Sequence, residues 1–322
     1  MVKLLVTALI LLIPAWIYTS LVRSADRYEK EPVAYLIYAF LWGAVPAVIF
    51  ALILQIGLSL PVALFLGADS LGAQLVETSI GAPVTEEFLK AIAVAIIYIS
   101  KRREFDGWVD GMVYGAMAGF GFAYVENILY LMGTASTEEW ITLFVLRTIV
   151  FGGLHGFWTA IVGIGFGFAR YMANPLGRVI TVLGALLIAM VLHLIHNGAV
   201  VLVEATAGVS FLVALLNYGV LLVVMLLLWW VAARVDRAKL RTYLADEVPG
   251  ILPRSLYEAI CNPGSRKLMR RLGLNADQQR QIIQTSAELA QKKLQFAKMG
   301  NESGNREEIS QLRSQLQQLS RS

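Results

Sequence analysis

Charged residues are scarce in this chain. Only 16% of its 322 residues are Asp, Glu, Lys or Arg, whereas about 25% is usual for a soluble domain. The single cysteine, Cys261, excludes a disulfide-stabilised scaffold, and an apolar share of 57% excludes intrinsic disorder. A water-soluble enzyme is therefore not expected, and the mean hydropathy of +0.64 indicates a membrane protein.

The few charges are unevenly distributed. Residues 1–233 contain 11 Lys and Arg against 14 Asp and Glu, a net charge of −3. Residues 234–322 contain 16 against 9, a net charge of +7. We therefore expect a transmembrane domain over residues 1–233 and a soluble, basic helical tail over residues 234–322.

Apolar stretches long enough to cross a bilayer, which takes about 20 residues, recur along the first part of the chain. They predict an all-α, polytopic bundle of about seven transmembrane helices, over residues 2–22, 33–57, 83–100, 107–133, 141–169, 179–206 and 209–233. We interpret the first as a retained anchor rather than a cleaved signal peptide. The interrupted stretch 58–82 predicts an outer loop with a re-entrant or amphipathic piece. Gly111, Gly115 and Gly119 predict a helix-packing face on the fourth span.

Lys and Arg alternate between the predicted loops, and cytoplasmic loops are the ones that are rich in them. The loops at 23–32, 101–106 and 170–178 are basic, whereas those at 58–82 and 134–140 contain neither Lys nor Arg. This alternation predicts an integral protein of the plasma (inner) membrane, with its N-terminus outside and its C-terminus in the cytoplasm.

The tail carries turn signals followed by two helical stretches, near 277–299 and 305–320. The second has an apolar stripe at a spacing of three or four residues, made of Ile309, Leu312, Leu316 and Leu319. We expect a solvated helical appendage whose basic surplus lies against anionic lipid. Nucleic-acid binding is not expected, because Lys and Arg are interleaved with Glu and Gln. We expect Cys261 to be a free thiol on the reducing side of the membrane.

Ionisable residues inside membrane spans are costly, and each is by default a candidate for function. Four predicted spans contain such residues, which are Glu86, Glu87, Lys90, Asp110, Glu126, Arg147, His155, His193 and His196. They include all three histidines of the chain, and Asn127 and Asn197 accompany them. Lys90 is expected to neutralise the carboxylate pair that precedes it.

Three of these residues fall at one depth. Glu86, His155 and His193 each lie 15 residues from the basic residue at the cytoplasmic end of their helix, about 22 Å at a rise of ~1.5 Å per residue. Because the three helices run in alternating directions, this agreement predicts a common layer, past the midplane towards the outside. Glu126, about 30 Å from its helix end, joins the layer if that helix is tilted or starts late.

Carboxylates and imidazoles that converge in a desolvated pocket suit hydrolysis, in either of two arrangements. In the metal-dependent one, two histidines and a glutamate hold Zn²⁺, a fourth position is left for water, and another glutamate is the general base. In the metal-free one, a glutamate and a histidine activate water, and the pair His193 and Asn197 stabilises the oxyanion.

Some residues have a second interpretation. Glu86 and Glu87 could occupy the first turn of a helix, where the helix dipole favours carboxylates. His196 competes with His193 as a ligand. Arg147 either snorkels to the interface or steadies a carboxylate.

The order of the motifs resembles the PrsW family of intramembrane proteases, distant relatives of the CAAX prenyl endopeptidases and the bacterial Abi/CPBP proteins. Residues 86–90 read EExxK and residues 122–127 read FxxxEN. His155 follows in the next span, and the HxxxN motif at 193–197 lies in the one after. The resemblance covers about residues 30–205.

The resemblance implies a membrane-embedded endopeptidase that hydrolyses peptide bonds of membrane proteins, such as an anti-sigma factor cut at site 1 of a signalling cascade. Its implied catalytic residues are Glu86, Glu87, Glu126, His155, His193 and Asn197. Zn²⁺ is the expected cofactor, with His155, His193 and Glu126 as ligands. The expected partners are a membrane-protein substrate and the lipid bilayer. His196 departs from the family pattern, which has an aromatic or small residue there.

Two other functions fit the buried charges. One is a proton- or ion-coupled transporter, although no internal repeat relates two halves of the chain. The other is a non-catalytic membrane scaffold that works through its tail.

Overall fold

The computed structural model describes residues 1–24, 28 and 30–321, and these residues form helices with no strand among them. The predicted all-α class is thus confirmed. Arg27, one of the basic residues of the first predicted loop, lies outside the described residues.

The chain divides into two compact units. The membrane unit consists of Met1–Ser24 and Glu31–Leu227, and the tail unit consists of Ala25–Lys30 and Leu228–Ser322. The second boundary between the units falls between residues 227 and 228.

The described part of the membrane unit is built of α-helices joined in places by π-helical turns. The α-helices are α1 (Val2–Arg23), α2 (Val33–Trp42), α3 (Val48–Leu66), α4 (Leu71–Gln74), α5 (Ala82–Ser100), α6 (Trp108–Met132), α7 (Thr137–Phe144), α8 (Leu154–Ala169), α9 (Pro175–Val201) and α10 (Val209–Tyr243). The π-helical stretches are Gly43–Ala47, Leu75–Gly81 and Val145–Val150.

Among the described residues, five helical segments are long and apolar enough to cross a membrane. They are Val2–Arg23, Val33–Leu66, Thr137–Ala169, Pro175–Val201 and Val209–Glu247. The other two predicted spans correspond to α5 and α6, which contain the EExxK and FxxxEN motifs. A helical membrane protein is confirmed, and the count of seven spans stays a prediction.

The stretch 58–82 is largely helical rather than irregular, and its place as an outer, re-entrant or amphipathic segment stays a prediction. α3 continues to Leu66 with Pro61 inside it, because membrane helices tolerate proline where the freed backbone groups find other partners. After a turn at Gly67, the helical backbone resumes and the stretch Leu75–Gly81 runs directly into α5. The EExxK carboxylates therefore do not lie in the first turn of a helix, and that interpretation was wrong.

α6 and α8 pack through glycines at the centre of the membrane unit. A Cβ atom at Gly119 would lie 2.1 Å from the carbonyl oxygen of His155, and one at Gly111 would lie 2.0 Å from that of Gly163. Gly115 makes an equally close approach. The predicted packing face is confirmed, and it sets the height of His155 beside α6.

Hydrogen bonds within the membrane unit bring particular loops together. The guanidinium of Arg170 donates to the carbonyl oxygen of Phe105 at 3.2 Å, which joins two of the basic loops. The ammonium of Lys3 donates to the carbonyl oxygen of Thr134 at 2.7 Å, which joins the N-terminal region to the loop at 134–140. Helices that cross a membrane in alternating directions produce this pairing.

The tail unit has a hydrophobic core of its own. Beyond α10, it contains α11 (Arg254–Ile260), α12 (Ser265–Arg271), α13 (Ala276–Met299) and α14 (Asn305–Arg321). Both predicted tail helices are confirmed. In α14, Ile309 and Leu316 are buried and Leu312 and Leu319 pack against the same core. The apolar stripe of α14 is therefore covered within the unit, and the solvated appendage stays a prediction.

Cys261 lies in the core of the tail unit as a free, buried thiol, as predicted. Burial raises the pKa of this thiol, and the nearby Arg241 guanidinium only partly offsets the effect. A thiol of this kind behaves as a small apolar side chain.

Candidate active site

Four helices of the membrane unit bring Glu86, Glu126, His155 and His193 to one cavity. α5 supplies the first of these residues, α6 the second, α8 the third and α9 the fourth. The cavity has a volume of about 1340 Å³, and all four side chains line it. The sequence predicted a common layer for three of them, and Glu126 joins the same cavity.

Glu86, His155 and His193 form the tightest group. Each presents one ligand atom within 4.8 Å of those of the other two. Oε1 of Glu86 accepts a hydrogen bond from the side-chain amide of Gln55 at 3.2 Å. Oε2 is buried and has no hydrogen-bond partner in the described part of the chain. Oε2 lies 3.9 Å from the ammonium of Lys90 and 4.0 Å from Nδ1 of His155. Since buried carboxylate oxygens are normally hydrogen-bonded, this oxygen beside two imidazoles fits a divalent metal with the preferences of Zn²⁺.

Glu126 occupies a different position from the one predicted for a metal ligand. Its Oε2 forms an ion pair with the guanidinium of Arg147 and lies 2.9 Å from Nε2 of His155. Arg147 also donates to Oδ1 of Asn127 at 2.6 Å. The group of three that the structure assembles therefore contains Glu86 where the sequence suggested Glu126. Of the two interpretations of Arg147, the one in which it steadies a carboxylate is confirmed.

Glu87 is fully buried and holds His193 in place. Its Oε1 accepts from the ammonium of Lys90 at 2.5 Å and lies 3.0 Å from Nδ1 of His193. Its Oε2 accepts from the hydroxyl of Thr159 at 3.1 Å. A carboxylate on one imidazole nitrogen fixes the ring and leaves the other nitrogen for a metal. Lys90 neutralises this carboxylate, as predicted.

Both ring nitrogens of His155 have neighbours. Nε2 faces Glu126, and Nδ1 lies 3.1 Å from the ammonium of Lys90 and 4.0 Å from Oε2 of Glu86. Nδ1 is thus the nitrogen on the side of that carboxylate oxygen. A metal bound there would replace the contact with Lys90, which keeps its bond to Glu87.

Asn197 lines the cavity, and its side chain has no hydrogen bond to the three-residue group. Its side-chain amide donates to the carbonyl oxygen of Thr78 at 2.9 Å. Thr78 belongs to the π-helical stretch Leu75–Gly81. The amide therefore ties α9 to the segment that leads into α5, and its second N–H is left for another acceptor.

His196 also lines the cavity, but its ring turns towards aromatic neighbours. It packs edge-on against Phe151 with 4.7 Å between ring centroids. Of the two histidines on α9, it is His193 that the structure brings to Glu86 and His155.

Three further residues hold the group in place and were not predicted, namely Gln55, Trp158 and Thr159. The indole stacks on the ring of His193 with 3.8 Å between centroids. The glutamine could have been found, because it is the one Asn or Gln in the predicted span 33–57. The threonine lies four residues after His155 and so shares its helix face.

The cavity extends to the end of the bundle that carries no basic loop. Glu138 and Glu139 line it together with other residues of the loop at 134–140. Lys3 binds the same loop. A polar chain segment that follows or precedes a membrane span could enter from this end.

A sequence model described as PrsW family intramembrane metalloprotease matches residues 31–232, which is more than half of the chain. The chain belongs to the PrsW family. It is therefore an integral membrane protein and a membrane-embedded protease, and the predicted enzyme class is confirmed. The matched range of this PrsW-family chain includes Glu86, Glu126, His155 and His193, and it ends shortly before the predicted tail.

Several relatives named Protease PrsW are similar along most of their length. The chain is 28% identical to the Protease PrsW of Geobacillus kaustophilus (strain HTA426) over 217 residues, which are 66% of this chain and 84% of the relative. It is 26% identical to that of Clostridioides difficile (strain 630) over 239 residues, 73% of this chain and 90% of the relative. It is 26% identical to the Protease PrsW of Bacillus subtilis (strain 168) over 214 residues, which are 65% of this chain and 84% of the relative. No solved structure matches the chain significantly.

Proposed function

We propose that this PrsW-family protease hydrolyses peptide bonds of membrane proteins with a Zn²⁺ ion held by Glu86, His155 and His193. The observation that carries the proposal is the buried Oε2 of Glu86, which accepts no hydrogen bond from a described residue and lies beside two imidazoles in a cavity. Catalytic zinc sites use such ligands. When bound, the ion would act as a Lewis acid on the scissile carbonyl and activate a water molecule.

The neighbouring carboxylates orient the imidazoles and move a proton. Glu87 fixes His193 through Nδ1, and Glu126 fixes His155 through Nε2. Arg147 and His155 both bind Oε2 of Glu126, whereas no described residue is hydrogen-bonded to its Oε1. In the proposal, Oε1 accepts the proton of the attacking water and later returns it to the leaving amine.

Asn197 has the position of an oxyanion donor in this proposal. One of its two amide hydrogens is used on Thr78, and its side chain lines the cavity. The second hydrogen would donate to the scissile carbonyl oxygen as negative charge develops there.

The substrates we propose are membrane proteins cut near the outer face of the plasma (inner) membrane. The cavity reaches the loop at 134–140, which has no Lys or Arg and lies outside in a seven-span topology with the N-terminus outside. The tail, residues 234–322, would then lie in the cytoplasm. An anti-sigma factor cut during signalling is one substrate of this kind.

Cleavage in proteoliposomes tests the proposal. We would reconstitute the full chain with a panel of single-span membrane proteins tagged at both ends and detect fragments by mass spectrometry. The wild type is expected to cut at least one of them, and Glu86→Gln and His193→Gln are expected to cut none. Glu204→Gln is the matched control, because this glutamate is exposed and does not line the cavity. A wild type that cuts nothing, or variants that cut equally well, would overturn the proposal.

The metal-free arrangement has its own signature in the same experiment. If a zinc chelator leaves cleavage intact while Glu86→Gln remains inactive, Glu86 activates water directly and the metal part of the proposal is wrong.

A further inference from the structure

His196 is a buried histidine without a hydrogen-bond partner. The residue is 9% exposed, and its Nδ1 is buried with no partner among the described residues. A buried polar atom that is left unpaired is destabilising and calls for an explanation. The assigned metal group does not supply one, since His196 lies outside it.

Aromatic side chains pack against His196 at the wall of the cavity. Phe151 packs against one edge at 4.7 Å and Trp158 lies 5.8 Å away, both measured between ring centroids. Trp158 is itself nearly fully buried, and its Nε1 also lacks a partner in the described chain. Both side chains line the same cavity as the active-site group. Two unpaired polar groups on one cavity wall indicate a ligand that carries its own hydrogen-bonding groups.

We propose that His196 binds the main chain of the substrate peptide. A neutral imidazole has one N–H donor and one acceptor nitrogen, and each peptide unit offers a C=O and an N–H. An extended peptide therefore satisfies the ring in either tautomer. The inference rests on the proposed protease function and deepens it.

The position of His196 sets the place of this contact. It lies one helical turn from His193 on α9, about 4.5 Å along the helix axis. The peptide segment that it binds therefore adjoins the scissile bond. A helical segment cannot make this contact, because its backbone groups are already paired with one another. The substrate is thus an unwound segment next to a membrane span.

The variant His196→Phe tests the inference, because it keeps an aromatic ring against Phe151 and removes both nitrogens. The probe is a single-span protein with a Gly-Pro pair at the outer end of its span, in phosphatidylethanolamine and phosphatidylglycerol vesicles. We expect the KM for this probe to rise about 10-fold, the effect of one lost hydrogen bond. The kcat is expected to change by less than about twofold, and the zinc content is expected to stay unchanged. His196→Gln, which retains a donor and an acceptor, should restore most of the affinity.

Thermal stability provides the second readout. Removing an unpaired buried nitrogen should raise the Tm, so His196→Phe is expected to be more stable and less active than the wild type. Ser286→Ala in α13 is the matched control, since its buried hydroxyl also lacks a partner and lies in the tail unit. It should raise the Tm without changing the KM. A His196→Phe variant with wild-type KM, or with a lowered Tm and lost zinc, would overturn the inference.

Binding separates this inference from the proposed function. The Kd of the probe is measured on Glu86→Gln, alone and combined with His196→Phe. If the wild type does not cleave but binding still depends on His196, only the proposed function fails. If the wild type cleaves and binding is independent of His196, only this inference fails.

Discussion

At the residue scale, the buried charges of the active site account for one another. Lys90 and Glu87 are both fully buried and joined at 2.5 Å, and buried charges are tolerated when they are paired in this way. The guanidinium of Arg147 likewise neutralises the carboxylate of Glu126. Oε2 of Glu86 is buried and accepts no hydrogen bond from a described residue, and for that reason Glu86 is our first choice of metal ligand.

Removing Lys90 should therefore destabilise the protein strongly. We expect Lys90→Met to lower the free energy of unfolding by about 3–5 kcal/mol, because the charge of Glu87 is left buried without a partner. Denaturation in mixed micelles measures the effect. The double variant Lys90→Met with Glu87→Gln should recover most of the loss, and a double variant no more stable than the single one would contradict this explanation.

In the proposed metal site, Glu87 would act on the metal through His193 rather than by binding it. Replacing it with glutamine should weaken zinc binding by about 10- to 100-fold, as for other residues that orient a ligand histidine. A competition titration with a zinc-binding dye gives the affinity. Glu204→Gln serves as the control, and an unchanged affinity in Glu87→Gln would exclude the orienting role.

The sequence predicted the convergence of Glu86, His155 and His193, because the basic residue at each helix end provides a reference depth. It gave Glu126 as the glutamate ligand, whereas we propose Glu86. That choice depends on the contact of Glu126 with Arg147, which joins two helices whose rotation about their own axes a single sequence does not determine.

At the scale of the helices, the close packing of α6 against α8 positions the active site. Glycines let the two backbones approach until a Cβ atom at Gly119 would lie 2.1 Å from the carbonyl oxygen of His155. Such contacts are typical of membrane helices, which associate through small residues. A change of one methyl group at this interface must therefore move a residue of the metal group.

Gly119→Ala should reduce both stability and activity. Overpacking of this kind costs about 1–3 kcal/mol, and the shift of His155 should lower kcat/KM by at least about 10-fold. Gly184→Ala on α9 is the matched control, because a Cβ atom there meets no atom within 4 Å. Equal effects of the two substitutions on cleavage would contradict the positioning role of Gly119.

The helices were predicted unequally well. The glycine series predicted the α6–α8 interface correctly, because its spacing repeats along one face. The sequence did not predict a largely helical backbone over 58–82, since Pro61 and several glycines signal loops in water but are accommodated in membrane helices. The π-helical stretch Leu75–Gly81 places the carbonyl oxygen of Thr78 where the side-chain amide of Asn197 donates to it. No sequence pattern predicts this π-helical stretch.

At the scale of the whole molecule, composition predicted the division into an apolar and a basic part. Sequence analysis did not predict the core of the tail unit. The apolar stripe of α14 is short, and the sequence does not show that α13 packs against it. Leu316 is nevertheless fully buried.

The topology of the membrane unit makes a prediction for the intact cell. In a Cys261→Ala background, Glu138→Cys lies in a loop predicted to be outside and Arg102→Cys in one predicted to be cytoplasmic; both positions are exposed. A membrane-impermeant maleimide should label the first in intact cells and the second only after permeabilisation. The reverse pattern would invert the orientation and place the active site towards the cytoplasm.

The central claim is that Glu86, His155 and His193 hold one metal ion, and the metal content of the purified protein tests it most directly. The full chain, purified without a polyhistidine tag, should contain about one zinc ion per chain by elemental analysis. Glu86→Gln, His155→Gln and His193→Gln should each lose most of it, whereas His196→Gln should retain it. Equal zinc in all of these proteins, or an active wild type with no metal, would contradict the account.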